Sequence, residues 1–113
     1  MRDDGEPTVT TLGYQQRALD ALSGLLLRTQ EEHLPLIAWT IPETTTGPML
    51  VGECTATDPV QRRNDFERWV EVLGATSWPG GIHRDRNLHL SASAADHRGV
   101  AISIMANIAD DER

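Results

Sequence analysis

The stretch Asn87-Leu88-His89-Leu90-Ser91-Ala92-Ser93-Ala94, with Val100-Ala101-Ile102-Ser103-Ile104-Met105-Ala106-Asn107-Ile108 after it, decides the fold of this chain. In the first half Leu88, Leu90 and Ala92 alternate with His89, Ser91 and Ser93, and in the second Val100, Ile102, Ile104, Ala106 and Ile108 fall on every other position. A period of two with one apolar side marks strands buried on one face only. Asp96-His97-Arg98-Gly99 lies between them and has the composition of a tight turn, so the segment reads as an antiparallel hairpin.

Upstream, Asp58-Pro59 marks a helix start, because Asp accepts from the orphan amides of the first turn and Pro fits its first position. Val60, Phe66, Trp69, Val70 and Leu73 form the apolar side of this helix, Arg62, Arg63, Glu67, Arg68 and Glu71 suit water, and Gly74 is placed to end it. Ala75 to Gly81 then reads as a loop. Before Asp58, Leu36-Ile37-Ala38-Trp39-Thr40-Ile41 and Met49 to Thr55 have strand composition, and the polar Pro42 to Pro48 joins them as a second hairpin. A first helix is expected over Pro7 to His33, capped by Thr8 or Thr11, with Leu12, Leu19, Leu22 and Leu26 near one stripe widened by Ala18 and Leu25. Gly24 interrupts that pattern at a cost of ~1 kcal/mol relative to Ala, and Pro35 stops it.

The expected order is α-β-β-α-β-β: an α+β two-layer sandwich with a four-stranded antiparallel sheet, both helices on one face and the other face open. One domain over residues 8–109 is expected, between an acidic flexible segment at 1–7 and an acidic tail at 110–113.

Composition limits the chemistry. The 113 residues include ten arginines and no lysine, which excludes Schiff-base, amine-nucleophile and P-loop ammonium chemistry. That bias fits the codon usage of a GC-rich genome, such as that of an actinobacterium or one of its phages. Net charge is −7, yet residues 7–109 hold eleven acids against eight arginines, so the excess lies mainly at the two ends. No basic stripe is present, and duplex DNA binding is not expected. No apolar run approaches the ~20 residues of a membrane span, the start carries acid where a signal peptide carries base, and Cys54 stands alone. A cytoplasmic protein without cofactor or resident metal is the expectation.

On the open sheet face His89, Ser91, Ser103 and Met105 form a candidate partner-binding surface, beside Ser93, Ala101, Asn107, Thr40, Val51 and Glu53. Trp78, ahead of Pro79-Gly80-Gly81, is a second candidate anchor or a cover for the core. Arg84, Arg86 and Arg98 make a candidate anion site if they gather at one end of the last hairpin, with Asp85 and Asp96 placed to neutralise it. His83, Asp85 and His89 share strand parity if the strand begins at Ile82, but His83 and His89 are three same-face steps of about 6–7 Å apart, and surface histidines are the better reading. No G-x-S-x-G, G-x-G-x-x-G, Walker, C-x-x-C or H-E-x-x-H motif occurs, and Cys54 reads as an inert core thiol. The function expected is therefore a non-catalytic protein–protein interaction module, self-associating or binding another protein. The alternatives are a small ligand-binding domain or enzyme around His89, Ser91 and Ser103, and weak single-stranded nucleic-acid binding through Arg84, Arg86 and Arg98 with Trp78 stacking on a base.

Overall fold

In a computed structural model of the chain, which describes residues 5–77, 81–84 and 87–109, two helices lie with a mixed sheet of six strands. Along the chain these are α1 (Gly5–Glu32), β1 (Ala38–Thr40), β2 (Met49–Glu53), α2 (Pro59–Leu73), β3 (Thr76–Ser77), β4 (Ile82–Arg84), β5 (Asn87–His97) and β6 (Val100–Ala109). The strand order is β1-β2-β6-β5-β3, with β4 also paired to β5.

The α+β class and both expected hairpins are present, but the four-stranded antiparallel sheet is not. β2 runs parallel to β6, with Leu50 beside Ile102 and Gly52 beside Ile104. Antiparallel neighbours need only a turn between them, whereas parallel neighbours need a crossover. Here the connection runs through α2, which packs over β6 and β5, and then through β3, β4 and β5 before the chain turns into β6 beside β2. The two additional strands are short. Thr76 and Ser77 pair with Ser93 and Ala92 where a loop was expected, and Ile82 to Arg84 fold back on Asn87 to His89.

Local signals act as their chemistry dictates in α2. Asp58 Oδ2 accepts from the Gln61 amide at 3.3 Å, Pro59 occupies the first turn, and Gly74 closes the helix at φ 63°. Its Phe66 and Trp69 are buried, while Val60, expected on that side, lies in the first turn and is exposed. Trp69 Nε1 donates to the Pro35 carbonyl at 2.9 Å, and its ring meets Trp39 edge-on with centroids 5.3 Å apart. Gly52 makes room for this pairing, since a Cβ there would lie 2.8 Å from Ile37 Cδ1 and 2.9 Å from Trp39 Cζ3.

α1 departs further from expectation. It begins at Gly5, inside the acidic segment, and ends where His33 turns left-handed and the Leu34 amide donates to the Thr29 carbonyl. Its buried side is Ala18, Ala21, Leu25 and Thr29, with Leu22 half-buried, whereas Leu12, Leu19, Leu26 and Leu27 are 52, 53, 50 and 55% exposed. Small residues face the sheet because they let the helix backbone come close; the leucines lie on the adjoining flank. The buried residues of both helices join Leu50, Leu88, Leu90, Ala92, Val100, Ile102, Ile104, Ala106 and Ile108 in a single cluster, on one face of the sheet.

Candidate functional site

The face of the sheet opposite this cluster carries the predicted surface residues, as strand alternation requires. Pairing across β5 and β6 sets His89 opposite Asn107, Ser91 opposite Met105 and Ser93 opposite Ser103. Through β2 and β1 the rows continue from Met105 to Glu53 and Ala38, and from Ser103 to Val51 and Thr40. His89, Ser91, Ser103 and Met105 are thus brought together, each half-buried among its neighbours. Glu53 is the one carboxylate on these rows.

What this group can do chemically is limited. His89 Nδ1 lies 2.7 Å from Asn107 Oδ1, so the ring is oriented by an amide rather than by a carboxylate. A hydrolytic serine needs a base held by an acid and an oxyanion donor pair. His89 has Asn107 in the acid's place, and Ser91 faces Met105.

The arginine and histidine groupings do not assemble as expected. Arg84 ends β4 opposite Asn87, at the start of β5, while Arg98 sits in the turn after its last residue, His97. Ten residue steps of ~3.4 Å separate the two ends, or about 34 Å, too far for a shared anion. Arg86, Asp85 and Trp78 lie outside the described residues, as does the side chain of Arg84. His83 pairs with Leu88 and His89 with Ile82, so the β4–β5 hairpin sends the two histidines to opposite faces. Among the described residues no group of three His, Cys, Asp or Glu is placed to hold a metal ion.

Clefts form elsewhere among the described residues. One, of about 190 Å³, has an apolar floor of Phe66, Val70 and Leu90 and a rim of Arg63, Glu67, Ser77 and Gly81. It falls short of the roughly 300–1,000 Å³ of a usual ligand pocket. Another, of about 140 Å³, lies between α1 and the β5–β6 turn and is lined by Arg17, Asp20, Ala21 and Arg98.

Two polar residues, Arg62 and Asp65, have roles that sequence patterning does not reveal, whereas Cys54 was expected in the core. Arg62, expected in water, donates from Nε to the Ala56 carbonyl at 2.8 Å, from one terminal nitrogen to Asn107 at 2.9 Å and from the other to Thr57 at 3.1 Å. It fastens the loop before α2 to the end of β6. Asp65 is buried and accepts from Gln61 Nε2 at 2.6 Å. Cys54 lies in the core, where burial pushes its thiol up to about 12, and the negative charges of Asp65 and Glu53 add to the effect. A thiol held protonated is neither nucleophile nor ligand.

No protein-family model, curated protein or solved structure matches this chain. No helix among the described residues is long and apolar enough to cross a membrane.

Proposed function

We propose that this protein is a non-catalytic interaction module that pairs with a second copy of itself through the outer flank of α1. The observation that carries this reading is the leucine series Leu12, Leu19 and Leu26, spaced by seven residues and about half exposed, with Leu27 at its margin. At 3.6 residues per turn a seven-residue spacing stays on one side of the helix. Gln15, Gln16, Leu22, Ser23 and Gln30 fill the rest of that flank, and Arg17, Asp20, Arg28, Glu31 and Glu32 all fall outside it. A solvated helix flank normally carries charge; this one carries none in a protein of net charge −7.

An antiparallel arrangement suits two copies. A two-fold axis at Leu19 sets Leu12 of each copy against Leu26 of the other and opposes the helix dipoles favourably. Completing the burial of four half-covered leucines on each copy supplies roughly 6–12 kcal/mol. After the cost of association the expected affinity is micromolar at best.

Light scattering over a concentration series bracketing micromolar values tests this. The expected result is a dimer that Leu19→Arg converts to monomer without lowering Tm, and a strict monomer at several hundred micromolar overturns it. The open sheet face supports a second reading, because its rows hold a single carboxylate and are covered by neither helix. Loss of the dimer in Ser91→Arg or Ser103→Arg, with Leu19→Arg still dimeric, favours that surface instead.

A further inference from the structure

The junction of α1 with the β5–β6 turn holds two arginines from distant parts of the chain. The Arg17 guanidinium reaches over the turn, with a terminal nitrogen 3.1 Å from where a Cβ on Gly99 would stand. Arg98 reaches back over the helix, 3.4 Å from the corresponding position on Gly24. Each guanidinium thus rests on a glycine of the other element, which gives Gly24 a use in the middle of a helix. Between them lies the cleft of about 140 Å³.

Among the described residues, the acids near the cleft are not paired with its two arginines. Asp96, the acid beside Arg98 in sequence, is committed to the turn itself, its Oδ1 accepting from the Gly99 amide at 2.7 Å. Glu32 is held by Arg28 at 2.8 Å. Asp20 is the acid in the lining, against two guanidinium groups, and among the described residues neither Arg17 nor Arg98 makes an ion pair. Nearby, burial pulls His97 below its ordinary value, Arg98 and then Arg28 pull the same way, and Asp96 pulls against them.

We infer that this cleft binds the phosphate group of a small molecule, as inorganic phosphate or a phosphate monoester, clasped between Arg17 and Arg98. A guanidinium presents paired donors that match two oxygens of one anion. Two such forks, from two directions, call for up to four acceptor oxygens; a tetrahedral phosphate has them and a carboxylate has two. The volume equals the share of about four or five waters at ~30 Å³ each, enough for the anion and the first atoms of an ester and too little for a nucleotide. Arg17 lies on the side of α1 away from Leu12, Leu19 and Leu26, so the site stands whether or not two copies pair.

The test is a titration of the isotope-labelled full chain with sodium phosphate at constant ionic strength, read by NMR at the amides of Ala21, Arg98 and Gly99, with acetate and O-phosphoserine as parallel titrants. The expected result is saturable shifts at these amides with phosphate and phosphoserine, and affinity for acetate at least tenfold weaker. Arg17→Gln and Arg98→Gln should each weaken phosphate at least tenfold while the rest of the spectrum is kept. Arg98→Lys, which keeps charge and loses the fork, should weaken it severalfold. Tighter binding of phosphoserine assigns the ester, and tighter binding of phosphate assigns the free ion. Shifts that rise linearly without saturation, that survive both glutamine variants or that acetate reproduces equally would overturn the inference. Leu19→Arg should leave phosphate binding unchanged.

Discussion

The two helices pack on the same sheet by opposite means. α2 brings large side chains, Phe66 and Trp69, and both its ends are closed, by Asp58 and by Gly74. α1 is nearly twice as long, 28 residues against 15, yet it buries alanines, one leucine and a threonine, and leaves its other leucines on the outside. The contrast separates two uses of apolar residues. In α2 they build the core; in α1 much of the apolar surface is surplus to the core and available to something else.

Substitutions can break or sharpen that contrast. Trp69→Ala removes a fully buried ring, its bond to Pro35 and its contact with Trp39, and should cost about 3–5 kcal/mol in a denaturant melt. Leu25→Ala, on the buried side of α1, should cost about 2–5 kcal/mol, while Leu19→Ala should fall within about 0.5 kcal/mol when measured on monomer. If Leu19→Ala costs as much as Leu25→Ala, the leucine flank is packed within the chain and the contrast fails. Gly52→Ala drives a methyl into Ile37 and Trp39 and should cost about 1–3 kcal/mol by overpacking. Asp58→Ala should cost about 0.5–2 kcal/mol through the lost cap, and an unchanged Tm would show that α2 is held by its buried face alone.

The smallest effect concerns pH. Because the His97 value is lowered in the folded chain, the unfolded chain binds its proton first as pH falls below the ordinary histidine value of 6.5. Stability should therefore be fully present above that pH and decline as pH falls through the lowered folded value. His97→Gln should flatten that part of the profile in a Tm-versus-pH series, and a profile identical to wild type would remove His97 from the account.

Much of this was legible in the residues, for a physical reason in each case. Asp58-Pro59 and Gly74 state the ends of α2 in local chemistry, and the alternation from Leu88 to Ile108 fixes both the strands and the face each side chain takes. The rest depends on tertiary contacts. β3 and β4 span only two and three residues and exist through backbone pairing to β5, so no side-chain period announces them. The parallel partnership of β2 and β6 leaves no mark on either strand alone. Hydrophobicity favoured the leucines of α1 over its alanines, whereas close approach to the sheet requires the alanines. His89, Ser91, Ser103 and Met105 could be placed on one face by parity, but the partnership of Arg17 with Arg98 joins positions eighty-one residues apart, and no spacing reveals it.

The place of β6 bears on how the chain reaches this state. It is the central strand, flanked by β2 and β5, and the last to be made in the order of the described elements. Its hairpin with β5 is local and quick to close, but Met49 meets Ala101 only after a loop of about fifty residues has been drawn together. Until then α1 has no completed sheet beneath Ala18 and Leu25. The refolding rate should therefore be set by the docking of the first half of the chain onto a preformed β5–β6 hairpin, with α1 an incipient, aggregation-exposed helix in the interval.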